Sequence, residues 1–257
     1  MDERGPPEAP GGLLRASGVS RSFAGVQALD DVTFEVAPRE VVGLIGPNGA
    51  GKTTLINLMT GFDRPTSGAV ELDGEDITRW SPARRAHAGL ARTFQHGHLF
   101  HELSVRENIE LAALGTRASV TEARRRAEEL LEALGLKTRA HQLAASLPHG
   151  DERKVGVARA LASRPRYVLM DEPAAGLPEA EVGPLVAAVR TVRDSFGAGV
   201  LVVDHNMSLI MEVSDRIHVL DRGRTLAQGN PEQIRKNIDV TAAYLGSSGI
   251  RSEGSVA

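Results

Sequence analysis

The stretch Gly46-Pro47-Asn48-Gly49-Ala50-Gly51-Lys52-Thr53-Thr54 matches the pattern G-x-x-x-x-G-K-[ST], a phosphate-binding loop. It constrains the fold more than any other feature, because the pattern works where a strand hands over to a helix. Both flanks comply. Val41-Val42-Gly43-Leu44-Ile45 is a short, continuous apolar run, as a strand buried on both faces requires. From Lys52 to Thr60 the pattern is helical, and Gly61 supplies a stop. Glycines let the backbone wrap closely around an anion, with N–H groups pointing inward. The helix behind them presents its N-terminus to the same anion. Within the loop, Gly46, Asn48, Gly49, Ala50, Gly51 and Thr54 are therefore expected to line nucleotide phosphates. Lys52 places a positive charge at the β- and γ-phosphates, and the Thr53 hydroxyl is a ligand for Mg²⁺.

A second signal is Tyr167-Val168-Leu169-Met170-Asp171-Glu172-Pro173, an apolar strand ending in two acids. A strand end can be acidic by chance. Behind a phosphate loop the pair acquires a chemical reading, in which Asp171 holds Mg²⁺ through water and Glu172 polarises the attacking water. Further strand patterns at 200–203 and 217–220, with helices between, predict a mainly parallel sheet covered by helices. Upstream, Val32, Phe34 and Val36 alternate with polar residues, and 68–74 reads as a short strand ending in a turn. The middle of the chain differs. Ser104-Val105-Arg106-Glu107 has the form of a capping box. Ala123, Ala127, Leu130, Leu131 and Leu134 recur at helical spacing, with Gly135 as a stop. Residues from about 100 to 160 thus read as a helical insert in an α/β chain.

Composition narrows the alternatives. The chain has 257 residues and no cysteine, which excludes disulfides, thiolate metal sites and cysteine nucleophiles. A net charge of -3 gives no global field for nucleic acid. No apolar run approaches the ~18–20 residues that span a bilayer, and the acidic start lacks a signal core. The expected location is therefore cytoplasmic, at a membrane only by docking onto another protein. Residues 1–12, with their prolines and glycines, read as a flexible leader.

With these motifs in this order the chain resembles the ABC ATPases, and the resemblance implies roles for further residues. The loop 46–54 corresponds to Walker A and the 167–172 strand to Walker B. Phe23 stands where the family places an aromatic that stacks on adenine; a core phenylalanine is the plain alternative. Gln95, in Arg92-Thr93-Phe94-Gln95, stands at the glutamine that contacts Mg²⁺ or water and couples to the permease. His205, in Val202-Val203-Asp204-His205, resembles the switch histidine that bonds the γ-phosphate. Gly150 belongs to the signature that completes the ATP site of a second subunit. The family fold is a P-loop α/β core with a helical signature subdomain. The expected division is 13–247 for the ATP-binding domain, about 96–160 for its helical lobe, and 248–257 for a loose tail.

Two departures from the family pattern stand out. The signature reads Leu147-Pro148-His149-Gly150-Asp151, so Pro148 replaces the serine that reaches the γ-phosphate, and Asp151 brings a carboxylate towards a polyphosphate. In Ala174-Ala175-Gly176-Leu177-Pro178, Pro178 replaces the usual Asp or Asn. His96, His98 and His101 read better as a permease-facing loop than as a metal site, and Arg124-Arg125-Arg126 as a solvated helix face. Within the family, the 171–177 string, the Gly150-Asp151 pair and the 229–246 tail resemble the ATPases of branched-chain amino acid importers. The partners this implies are permease subunits, a second ATPase subunit and a periplasmic or lipid-anchored solute-binding protein. Competing readings are a cassette for urea, amides, lipid or lipopolysaccharide, a weakly hydrolysing ATP-gated module, and a soluble ABC protein of translation or DNA repair. The last lacks support, since the chain carries a single cassette and no sustained heptads.

Overall fold

The structure, a computed structural model, describes residues 12–93, 99–116 and 118–249, with side chains in the last helix described up to residue 244. Gln95, His96, His98, most of the leader and the end of the tail lie outside the described residues.

The central sheet among the described residues contains β3 (Val41–Ile45), β6 (Leu90–Thr93), β7 (Tyr167–Asp171), β8 (Gly199–Val203), β9 (Arg216–Asp221) and β10 (Arg224–Gly229), in the order β10-β9-β3-β8-β7-β6. All its pairings are parallel except β9 with β10. β3 and β8 are buried at every position, which is why their sequences are unbroken apolar runs. Alternate residues feed two different cores. Val41, Ile45, Val168, Met170, Val200 and Val202 face one, whereas Val42, Leu44, Leu169, Leu201 and Val203 face the other.

A second sheet contains the strands read at 32–36 and 68–74, but their pairing into a sheet of their own was not legible in the sequence. It is antiparallel, contains β1 (Leu14–Phe23), β2 (Val26–Val36), β4 (Ser67–Leu72) and β5 (Glu75–Asp76), and runs β2-β1-β4-β5. Register shifts along β1 break the simple alternation that announces a half-buried strand. Helix α1 (Lys52–Thr60) packs Leu55, Ile56, Leu58 and Met59 into the core shared by both sheets, which fixes the loop in front of it. Helix α2 (Pro82–His87) carries a buried arginine that closes the far end of α1. Arg85 Nη1 donates to the carbonyls of Leu58 (2.6 Å) and Met59 (2.7 Å), and Nη2 to that of Ile77 (2.8 Å). Burial pulls its pKa down to about 10, so it stays charged where the carbonyl ends of α1 gather.

The helical lobe forms as the pattern predicts. α3 (Val105–Leu114) opens with the reciprocal Ser104–Glu107 box. α4 (Val120–Ala133) is stopped by Gly135 in a left-handed conformation, and α5 (His149–Ala162) buries Val155, Ala158, Leu161 and Ala162. The arginine run needs correction. Arg124 and Arg125 are exposed, but Arg126 turns inward, donating to the Ala162 carbonyl at 3.0 Å and pairing with Glu122. Its position, one residue before buried Ala127, leaves it at the edge of the packed face. α6 (Glu179–Asp194) and α7 (Met207–Val213) cover the central sheet. At the end, α8 (Pro231–Arg235) begins with an Asn230–Gln233 capping box, and α9 (Ile238–Gly249) runs two residues into the 248–257 stretch expected as a loose tail.

One buried histidine makes stability depend on pH. His218 of β9 is fully buried, lies 5.2 Å from the Phe34 ring and places Nε2 3.0 Å from Thr225 Oγ1. Burial, reinforced by Arg216, pulls its pKa down to about 4. Unfolding frees the ring to take up a proton at its ordinary pKa of about 6.5. The contribution is therefore complete above about pH 6.5 and is lost as pH falls towards 4. Acidifying from about pH 7.5 to 5 should cost the wild type about 2 kcal/mol more than His218→Gln. Equal losses in chemical denaturation at the two pH values would contradict this.

Candidate nucleotide site at the strand ends

The loop between β3 and α1 has an anion cradle's backbone. Gly51 caps α1 at φ 103°, and a Cβ there would lie 2.7 Å from the Ala28 carbonyl, so no larger residue fits without backbone movement. No side chain caps α1 and no acid occupies its first turn, which leaves the helix N-terminus suited to an anion. Lys52 Nζ donates to the carbonyls of Gly46 (2.7 Å) and Pro47 (3.0 Å), folding the side chain over the loop. Burial pushes its pKa below the ordinary lysine value, while Glu172 and Asp171 pull it back up. Asn48, Gly49 and Thr53 are exposed, and Gly51, Lys52 and Thr54 are partly so; Gly46 and Ala50 are buried beneath them. Tyr244 of α9 packs against the core, and its hydroxyl feels the Gly46 backbone of the loop. Sequence reasoning placed Tyr244 only in a subgroup pattern.

The two acids stand at the end of β7, next to the loop. Asp171 ends the strand, and its Oδ2 accepts from Arg92 Nη2 at 2.7 Å. Glu172 has a left-handed backbone (φ 47°), rare for a residue with a side chain, and its N–H donates to the Val203 carbonyl at 2.7 Å. Strain of about 1–2 kcal/mol is thus held at the residue expected to polarise water. The oxygen donors of Asp171 and Thr53 suit a hard cation such as Mg²⁺. Among the described residues no cluster of three His, Asp or Glu forms a separate metal site. His101 is exposed, while the other two histidines of that cluster lie outside the described residues.

His205 follows β8 with its side chain 69% exposed and its Nδ1 3.8 Å from Asp204 Oδ1. Asp204 itself is a residue the sequence did not single out. It is buried, and its carboxylate accepts from the backbone N–H of Ala174 and of Asn206, each at 2.8 Å. One side chain therefore pins the 174–178 turn to the histidine turn. Its only sequence signal was an acid at the end of an apolar strand.

Phe23, at the end of β1, is 44% exposed, so it is not the core residue considered above. The Arg21 guanidinium lies 4.4 Å from its ring centroid. Gly150 lies in the first turn of α5, where a Cβ would meet Glu181 Oε2 of α6 at 2.5 Å, so a larger residue would need the end of that side chain to shift. Pro148 is the N-cap of α5 and provides no side-chain hydrogen bond. The expectation for Asp151 changes. Its carboxylate is engaged by Lys154 Nζ (3.0 Å) and Arg139 Nε (3.4 Å), so the charge that would repel a polyphosphate is largely neutralised within the lobe. His149, by contrast, is exposed beside Glu152.

Comparisons with known proteins agree with this geometry. The sequence profile of a family described as ABC transporter matches residues 29–175. The chain is 40% identical over 249 residues to the high-affinity branched-chain amino acid transport ATP-binding protein LivG of Escherichia coli (strain K12), covering 91% of this chain and 98% of that one. Among solved structures, the ADP conformation of MJ1267, an ATP-binding cassette of an ABC transporter, superposes with a TM-score of 0.82 at 28% identity, covering 91% of this chain and 99% of that one. A dimeric post-hydrolysis state of the cassette MJ0796 bound to ADP and Pi gives a TM-score of 0.74 at 26% identity, covering 85% and 98%.

Proposed function

Because the chain belongs to the ABC transporter family, whose ATP-binding subunits are ATPases, we propose that it hydrolyses ATP to drive uptake of branched-chain amino acids through a permease on other chains. The observation that carries the substrate is the 40% identity to LivG, which extends over nearly the full length of both proteins rather than over the ATP site alone.

In this reading the chain's residues divide the work of phosphoryl transfer to water. The 46–54 loop and the α1 N-terminus hold the phosphates, and Lys52 moves from the loop carbonyls onto the β- and γ-phosphates. Phe23 offers an exposed ring to the base. Thr53, Asp171 and Gln95 would hold Mg²⁺, which would neutralise phosphate charge. Glu172 orients and polarises the attacking water, His205 bonds the γ-phosphate, and Gly150 closes the site of a second subunit. The dimeric MJ0796 cassette supports pairing of this kind.

No helix among the described residues is long and apolar enough to cross a membrane, so transport requires a docked partner. A groove suits that partner. It is a cavity of about 350 Å³ lined by Thr60, Phe62, Pro82, Ala86, Leu90 and Arg92, the last two on strand β6. Phe62, at its edge, is 57% exposed. A short permease helix seated there would feel any movement of β6 and the segment after it. The chain would then sit peripherally on the inner face of the membrane, with a solute-binding protein on the other side.

The test is uptake of labelled leucine, isoleucine and valine in cells lacking this chain. Wild type should restore uptake and Glu172→Gln should not. Full uptake of all three without the chain, in cells with no parallel system, would refute the substrate assignment and leave the ATPase assignment standing.

A further inference from the structure

We propose that Arg92 is a positioning residue for the metal: its guanidinium ties the Asp171 carboxylate to helix α1, and so holds two oxygen donors of the Mg²⁺ site in register. The proposal rests on the reading of Asp171 and Thr53 as metal-holding residues. Those two donors come from different elements, β7 and α1. Arg92 touches both elements. Nη2 donates to Asp171 Oδ2 at 2.7 Å, while Nη1 donates to Asn57 Oδ1 at 2.8 Å and lies 3.4 Å from Thr60 Oγ1. Asn57 is one helical turn from Thr53 on the same face of α1. The planar guanidinium thus acts as a fixed spacer between the two donor-bearing elements, a role that needs Arg rather than Lys. The site shelters this bridge. The Arg92 side chain is 10% exposed and that of Asp171 17%. The guanidinium carbon also lies 5.5 Å from the Phe62 ring centroid.

Two effects oppose each other when the guanidinium is removed. Loss of a positive charge near the cation favours metal binding by Coulomb's law. Loss of orientation disfavours it, because Asp171 becomes free to turn towards the Lys52 ammonium, which it already attracts. That turn would withdraw a metal donor and engage the lysine needed by the phosphates. Orientation should dominate, since partners that orient metal ligands typically contribute about 10–100-fold in metal affinity.

The experiment uses the full chain carrying Glu172→Gln, so that ATP is retained, and Mn²⁺ as the probe, with binding read by EPR in the presence of ATP. Arg92→Met should raise the Mn²⁺ Kd about tenfold, and Arg92→Lys, which keeps the charge but loses the two-armed geometry, by a smaller factor. ATP binding in EDTA should stay within about twofold of the parent, which a general loss of structure would not permit. Should Arg92→Met fail to fold, Asn57→Ala removes one arm only and should raise the Mn²⁺ Kd about threefold. Unchanged or tighter Mn²⁺ binding in the Arg92 variants overturns the proposal, as does an unchanged Asn57→Ala. Asp171→Asn separates the two levels. If it binds Mn²⁺ like the parent, the underlying reading of Asp171 falls, and the proposal with it. If it binds weakly while the Arg92 variants do not, only the role of Arg92 falls.

Discussion

Replacing Lys52 with alanine is expected to lower ATP turnover by about two to three orders of magnitude, the usual cost of removing one preorganised donor to transition-state charge. The structure explains why no neighbour takes over. The ammonium is tethered by the Gly46 and Pro47 carbonyls at 2.7 and 3.0 Å, within reach of the phosphate cradle. Arg92, a second cation beside the acids, is engaged with Asp171 and Asn57. The substitution leaves the loop backbone intact, because the bends rest on the glycines and α1 is anchored by Leu55, Ile56, Leu58 and Met59. Phosphate release by the transporter assembled with Lys52→Ala is the measurement. Turnover within a factor of about three of wild type would show that Lys52 does not meet the β- and γ-phosphates in the transition state.

Glu172→Gln should separate binding from hydrolysis. The amide preserves size but loses the negative charge that polarises water, and turnover should fall about 10²- to 10⁴-fold. Nucleotide binding should survive, since the loop and the Lys52 side chain remain and Asp171 still supports the charge on Lys52. The left-handed backbone at 172 costs Gln about what it costs Glu, and the bond from its N–H to the Val203 carbonyl does not involve the side chain. The variant should therefore melt within about 2 °C of wild type, a shift below that of a 1 kcal/mol change in a chain this size. With ATP and Mg²⁺ it should accumulate as a dimer on size exclusion, because the step that reopens the interface is blocked. Wild-type turnover by Glu172→Gln would require another group to activate the water.

The sequence alone determined the elements whose chemistry is local. The phosphate loop, its preceding strand, α1 and the Gly61 stop are contiguous, and their φ/ψ demands and apolar spacing are written in neighbouring residues. The same holds for the Ser104–Glu107 box, the Gly135 stop and the strand ending in Asp171-Glu172. Resemblance added His205 and Gly150, which local chemistry would have left as an exposed histidine and a helix-start glycine. What only the tertiary structure decided are contacts between residues far apart along the chain, which no local pattern encodes. Arg92 meets Asp171 across 79 positions, and Asp204 reaches back 30 to the Ala174 N–H. Asp151 reads as a charge beside phosphate until folding brings Arg139 to it, joining Lys154, its local i,i+3 partner on α5. The pairing of the antiparallel sheet stayed hidden for a related reason. A strand with bulges and one polar face shows its partner only when β2 and β4 close on either side of it.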